Sequence, residues 1–330
     1  MSTFAAVVLF VGVVAYAVLG GADYGAGFWD LTAGGAERGR RPRHLVDEVL
    51  APVWEANHVW LIFCLVMLWT GFPAAFAAVM TTLYVPLGLA ALGIVVRGSG
   101  FAFRKVFVQT RDQRVVGAAF AVSSVLTPFF LGTVAGGIAS GRVPTDGHGN
   151  AVTGWINPTS LLGGVLAVLA CAFTAAVFLT AEAQRREEAD MERWFRLRAQ
   201  VTAVVTGVVA LAGIVILRAD APRLFDGLLS RGLFFVLLSG LCGLGALALV
   251  RRGAPRVVQG LAVTAVGAVV IGWGVAQYPY LLGTHLSIGE AAAPTSTLVA
   301  LTVVAALALL LVVPSMALLF VLEQRGRLET

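Results

Sequence analysis

The stretch FAAVVLFVGVVAYAVLGGADYGAGF occupies residues 4–28 and carries one charge, Asp23. An α-helix rises about 1.5 Å per residue, so about 20 apolar residues cross the roughly 30 Å hydrocarbon layer of a bilayer. Residues 4–28 are therefore long enough to span, and they place a carboxylate inside the span. No basic segment precedes the apolar run, and no small-residue cleavage site falls between it and Asp23. The run reads as a retained helix and not as a secretory leader. Charge at membrane depth is costly, so Asp23 is a functional candidate by default.

Eight further stretches of bilayer length follow, at about 50–71, 75–97, 115–137, 159–181, 200–217, 231–250, 257–280 and 297–321. Composition agrees. Of 330 residues, 58% are hydrophobic and 12% charged, and the mean hydropathy is +0.88. A water-soluble fold of this make-up would expose far too much apolar surface. A cytosolic enzyme, a nucleic-acid binder and a disordered chain are excluded. Cys64, Cys171 and Cys242 lie inside apolar runs with no metal-binding spacing, and read as small buried hydrophobes.

The Lys and Arg residues set the orientation. With the N-terminus outside, 19 of the 23 fall in the inner loops and the C-terminal tail. Only Arg142, Arg218, Arg223 and Arg231 fall outside. This asymmetry favours nine spans over eight and explains the basic pI of about 9.6 without a polyanionic partner. Smaller signals fit the same plan. Asn157-Pro158 supplies a capping side chain and a first-turn proline for the fifth span. Trp273, Tyr278 and Tyr280 mark an outer interfacial belt. Gly21/Gly25 and Gly132/Gly136 are small pairs that permit close helix contact. The stretch from Glu182 to Arg198 mixes both signs and reads as a solvated helix extension or loop.

Two carboxylates lie clearly at depth, Asp23 in the first span and Glu55 in the second. Each sits about five residues from the inner edge, roughly 8 Å, on sequence-adjacent antiparallel helices. His58 follows Glu55 at i+3 on the same face, and Trp54 and His58 form an i, i+4 pair. Arg97 ends the third span at the inner surface, within reach of an acid. Carboxylate and imidazole both exchange protons near neutral pH when burial shifts them, so this is the layout of a proton-uptake path. Beyond His58 the span turns apolar, so such a path must hand over to another subunit or cofactor. Plainer readings stand beside it. Asp23 also reads as a helix cap or a structural partner of Arg97, and Glu55 as an assembly pair. His58 also reads as a packing residue or a metal ligand. Asn57 reads as interhelical glue, and Trp54 and Trp60 as packing.

At these residues the sequence resembles subunit II of cytochrome bd-type quinol oxidases. Gly21-Ala22-Asp23-Tyr24-Gly25-Ala26-Gly27 is similar to that subunit's Gly-Phe-Asp-x-Gly-x-Gly signature. Ala51 to Leu61, through Trp54-Glu55-Ala56-Asn57-His58-Val59-Trp60, resembles its Ala-Pro-x-Trp-Asp/Glu-x-Asn-x-Val-Trp-Leu motif. Arg97 to Arg104, with Asn157-Pro158 and Pro279, continues the match in order. The resemblance implies an all-α polytopic membrane protein with nine transmembrane helices and the N-terminus outside. It forms one domain over 1–330: two four-helix bundles, at about 4–137 and 159–280, plus a peripheral helix at about 297–321. It implies a bacterial cytoplasmic membrane complex that oxidises quinol, reduces oxygen to water and takes protons from the cytoplasm. Haem b and haem d are expected on a larger partner, subunit I, with no metal, cofactor or catalytic group bound directly by this chain. Beside the haem-bearing partner, quinol, oxygen and lipid, it leaves room for a structural quinone and a small accessory subunit. It places Asp23 and Glu55 on the proton path, to which the i+3 spacing adds His58, and Trp60 at the oxygen access. Trp54, Asn57, Arg97 and Arg104 then support them. His58 departs from the Gln or Glu of many members, and Gly20 and Ala102 stand where some carry acids. Two rivals from other classes are a proton-coupled permease and a purely structural membrane anchor.

Overall fold

The computed structural model describes residues 1–35, 37–50, 54–104 and 110–324. The first span is one continuous rod in three parts: α1 (Ser2–Ala15), a π-helical turn (Tyr16–Gly20) and α2 (Gly21–Thr32). An amphipathic helix α3 (Arg40–Leu50) leads to α4 (Trp54–Gly71), α5 (Pro73–Thr82), α6 (Tyr84–Arg104) and α7 (Thr110–Ala139). The second half holds α8 (Pro158–Arg185), α9 (Ala189–Asp220), α10 (Pro222–Ser230), α11 (Leu233–Leu249) and α12 (Pro255–Gln277). A two-stranded antiparallel hairpin, β1 (Tyr280–Leu282) and β2 (Leu286–Ser287), runs into the short α13 (Ile288–Ala291) and the final α14 (Thr295–Gln324).

The protein is a multi-pass membrane protein of α-helices. Among the described residues seven helices are long and apolar enough to cross a bilayer, and α4/α5 and α10/α11 are bent pairs that pass the same test together. Proline organises the starts. Pro73, Pro158, Pro222 and Pro255 each occupy the first turn of their helix, where the missing N–H has no intrahelical acceptor to lose. Asn157 caps α8 by accepting from the Ser160 N–H at 2.9 Å, as its spacing indicates. The glycine pairs are true contact points: a Cβ on Gly132 would sit 2.4 Å from the Gly163 carbonyl oxygen, and one on Gly136 2.5 Å from Ser160 Cα.

Several boundaries differ from the sequence reading. The segment 75–97 is not one span. The chain turns by 117° between α4 and Pro73, and Leu83 separates α5 from α6. Pro86 sits in the first turn of α6, while Pro128 and Pro314 lie inside α7 and α14. The stretch 231–250 is led by α10, bent 79° from α11. The eighth span ends at Gln277, so Tyr278 and Tyr280 belong to the hairpin connection, where both are exposed. Trp273 stays within the helix. Its ring packs on Phe10, 5.6 Å between centroids.

Among the described residues the core is two large apolar clusters and a small third one of Ala221, Leu224 and Ala276, and the first span threads the two large ones. Ala5, Ala6 and Leu9 of α1 pack in the cluster of Met67, Phe72 and Leu298. Ala26 and Trp29 of α2 pack in the other, with Phe120, Ala172 and Phe195. The π-turn and Asp23 fall between the two. Outer faces of α9, α11 and α14 present large apolar side chains such as Val215, Leu241 and Leu311, the surface a lipid solvent requires.

Candidate functional site

The site is built around Asp23, in the first turn of α2. Glycines let three helices close on it. A Cβ at Gly25 would lie 1.9 Å from the Cys171 carbonyl oxygen, so α2 and α8 touch backbone to backbone. A Cβ at Gly27 would lie 2.2 Å from Ser124 Oγ, so α7 meets α2 through a serine hydroxyl. Arg97 reaches this junction from α6. Its Nη2 donates to Asp23 Oδ1 at 2.7 Å and to the Asp23 carbonyl at 3.3 Å, and its Nε donates to Ser124 Oγ at 3.0 Å. Ser124 in turn donates to the Phe120 carbonyl at 2.7 Å, leaving its lone pairs for the guanidinium. The guanidinium carbon lies 4.9 Å from the Tyr24 ring centroid and 5.0 Å from that of Phe120. The side chains of Arg97 and Asp23 are 2% and 1% exposed. Asp23 Oδ2 is buried and has no hydrogen-bond partner among the described residues.

An aromatic and imidazole group lies beside the ion pair. The Tyr16 and Tyr24 hydroxyls are 3.1 Å apart. The His58 ring on α4 lies 6.4 Å from the Tyr16 ring and 6.0 Å from the Tyr24 ring, measured between centroids. Asn57 is buried next to it in sequence, and Trp60 is half-buried, with its ring 6.2 Å from that of Phe63. The structure thus brings together Asp23, Arg97 and the His58 face of α4. The side chains of Trp54, Glu55 and Arg104 lie outside the described residues.

Arg97 departs from the sequence expectation. It does not end a span at the inner surface: it sits inside α6, which runs on to Arg104. It therefore leaves the set of inner-loop charges, and the remaining asymmetry still has the same sign. A third carboxylate, which the sequence reading did not single out, is removed from the surface. Asp30, seven residues after Asp23 and on the same face of α2, is buried too, in a helix that continues to Thr32. It accepts from Arg43 Nε at 2.8 Å, and Arg43 also donates to the Gly34 carbonyl at 2.6 Å. Sequence reasoning passed over Tyr16, Ser124 and Phe120 as well. The serine pair Ser123-Ser124 in an apolar run was a usable signal; the tyrosine pairing was not, since it depends on the π-turn. Among the described residues, no group of three or more His, Cys, Asp or Glu gathers to hold a metal ion. His58 sits among phenol rings.

The fold and the site define a membrane-embedded helical protein with a buried carboxylate paired to an arginine where three helices meet. The chain belongs to the family described as cytochrome bd terminal oxidase subunit II, whose pattern it matches over residues 1–322. It is similar to the cytochrome bd ubiquinol oxidase subunit 2 of Bacillus subtilis (strain 168), 30% identical over 208 residues, 62% of this chain and 58% of that relative. It is similar to the cytochrome bd-I ubiquinol oxidase subunit 2 of Escherichia coli (strain K12), 31% identical over 217 residues, 62% of this chain and 55% of that relative. The chain thus spans less than two thirds of the length of these curated relatives. Its fold is that of a chain in the bd oxidase structure from Geobacillus thermodenitrificans, with a TM-score of 0.77, 25% identity and 97% of each chain covered.

Proposed function

We propose that this chain is the haem-free subunit of a quinol:oxygen oxidoreductase in a bacterial cytoplasmic membrane, and that its own residues conduct protons from the cytoplasm toward the partner. The observation that carries the reading is Asp23. Arg97 holds it in a membrane helix by one carboxylate oxygen, while the second oxygen accepts nothing among the described residues. A charge kept at depth with one oxygen uncommitted suits proton exchange better than packing. It stands in the signature that the family resemblance assigns to proton uptake.

In this reading each bent pair is one span. That gives nine, arranged as two four-helix bundles and a peripheral last helix, with the N-terminus outside and the C-terminus cytoplasmic, as the Lys/Arg asymmetry favours. Asp23, Glu55 and His58 form the path, Trp60 lies at the oxygen access, and Trp54, Asn57, Arg97 and Arg104 hold the path in place. Haem b and haem d belong to the larger partner, where they supply oxygen binding and electron transfer. A bound quinone or lipid and a small accessory subunit fit the same assembly.

The test is purification through an affinity tag on this chain. The reading expects a haem-bearing partner and quinol-dependent oxygen consumption in the same fraction, with turnover reduced about tenfold or more by Glu55→Gln while the haem spectrum is unchanged. Copurification without haem contradicts the oxidase reading. Unchanged turnover in Glu55→Gln contradicts the role of Glu55.

A further inference from the structure

We propose that the paired hydroxyls of Tyr16 and Tyr24 are a proton relay that leads from Asp23 toward the middle of the first span. The proposal rests on the proton-uptake reading above and extends it to two residues outside the motif acids.

The π-helical turn is the device that makes the pair. In an uninterrupted α-helix, residues eight apart differ by roughly 80° in direction, so two such tyrosines would diverge. A π-turn accommodates one extra residue, which sets the phase back by roughly 100°. Residues 16–20 form that turn, directly between the two rings. Tyr16 is thereby brought over Tyr24, and the hydroxyls meet at 3.1 Å. Single π-turns inside α-helices are rare and occur frequently at functional sites. What this one achieves here is the alignment of two hydroxyls in a span that is otherwise apolar up to Asp23.

The pair has a source at one end and an exit at the other. Asp23 and the Tyr24 ring share the Arg97 guanidinium, which bonds the first and lies over the second. Tyr24 is buried, whereas Tyr16 and His58 are half-buried and reach the edge of the chain at mid-span. A phenol is at once donor and acceptor. A proton passed from the Asp23 carboxyl through a bridging water to the Tyr24 oxygen is matched by release of the Tyr24 hydroxyl proton to Tyr16, and of the Tyr16 hydroxyl proton, again through water, to a ring nitrogen of neutral His58, which holds it as imidazolium until it is handed on. One proton moves, each tyrosine ends neutral, and no electron is transferred. Phenylalanine at both positions would fill the same space without a conducting group.

The experiment uses the intact complex, purified through a tag on this chain, with Tyr16→Phe, Tyr24→Phe, the double variant and Asp23→Asn. Haem spectra check assembly. Quinol-driven oxygen consumption is read across pH in H2O and D2O, and proton uptake is followed with a pH-indicator dye. The relay predicts that either phenylalanine slows proton uptake and turnover by about tenfold or more with haem content unchanged. It also predicts a larger solvent isotope effect, and a double variant no slower than either single one, since the groups act in series. Either single variant is enough to read the result. If both keep wild-type rate and pH profile while Asp23→Asn is slow, protons bypass the tyrosines and the relay is wrong. If Asp23→Asn is also unimpaired, the uptake reading itself fails, and the relay with it.

Discussion

Arg97 Nη2 meets Asp23 Oδ1 at 2.7 Å between helices α6 and α2, with both side chains almost wholly removed from the surface. Two opposite charges taken out of water gain little net stability from each other, because desolvation offsets most of their attraction. The cost appears when one partner is removed and the other is left alone. This pair is also tied into neighbours: Ser124 accepts from Nε, and the Tyr24 and Phe120 rings flank the guanidinium.

Arg97→Ala leaves Asp23 buried without its cation and is expected to destabilise the fold by about 3–5 kcal/mol. Arg97→Lys keeps the charge and loses the fork that serves Ser124 and Asp23 together, so its loss should be smaller but clear. Thermal unfolding of the detergent-solubilised protein ranks them. Equal midpoints for Arg97→Ala and wild type would show that the pair is not structural.

Gly25 and Gly240 provide a matched comparison. Both are helical glycines in apolar helices, yet a Cβ at Gly25 would overlap the Cys171 carbonyl, while at Gly240 no described atom lies within 4 Å. Gly25→Ala must force α2 and α8 apart, at about 1–3 kcal/mol or more. Gly240→Ala should be neutral or slightly stabilising, since alanine favours the helix. The two thermal midpoints decide it.

The spans were legible because a bilayer demands long apolar runs, and the motif acids because charge is rare inside them. Arg97 was named as a partner for an acid, and it is one. Its depth was misjudged because hydropathy cannot tell a charged helix end from a charged interior residue that is paired. The same limit hid Asp30: the apolar run stops near residue 28, while helix packing carries α2 to Thr32. The bend at Pro73 was written in the sequence, yet Ala, Phe and Val on both sides kept the run apolar and masked it. The Tyr16–Tyr24 contact was out of reach, since its register comes from one π-turn.

Asn157→Ala removes the side-chain acceptor for the Ser160 N–H and the Asn157 Nδ2 donation to the Thr153 carbonyl at 3.1 Å. Loss of an N-cap costs about 0.5–2 kcal/mol. Asn157→Asp restores the acceptor and should recover most of it. A midpoint unchanged by the alanine would mean that α8 is held by packing alone.

Glu290 closes a capping box with Ser287 at the start of α13, outside the spans. Hydrogen bonds from the Ser287 hydroxyl and backbone N–H hold its carboxyl below its usual value of 4.5. A depressed carboxyl contributes stability above the unfolded-state value and loses it as pH falls through the folded one. Wild type should therefore unfold above Glu290→Gln near neutral pH, and the gap should close on acidification below 4.5. A gap that persists in acid would contradict this.

Proton uptake by the purified complex carrying Asp23→Asn, read beside its haem spectrum, decides whether Asp23 passes protons. Asparagine removes the exchangeable carboxyl and keeps an acceptor for Arg97, but it leaves the buried guanidinium without its counter-charge, so the haem spectrum and a thermal midpoint first establish that the complex assembles. The account predicts an intact haem spectrum with proton uptake and quinol-driven oxygen consumption both slowed by about tenfold or more. Wild-type uptake in an assembled Asp23→Asn complex would contradict it and leave the chain a scaffold.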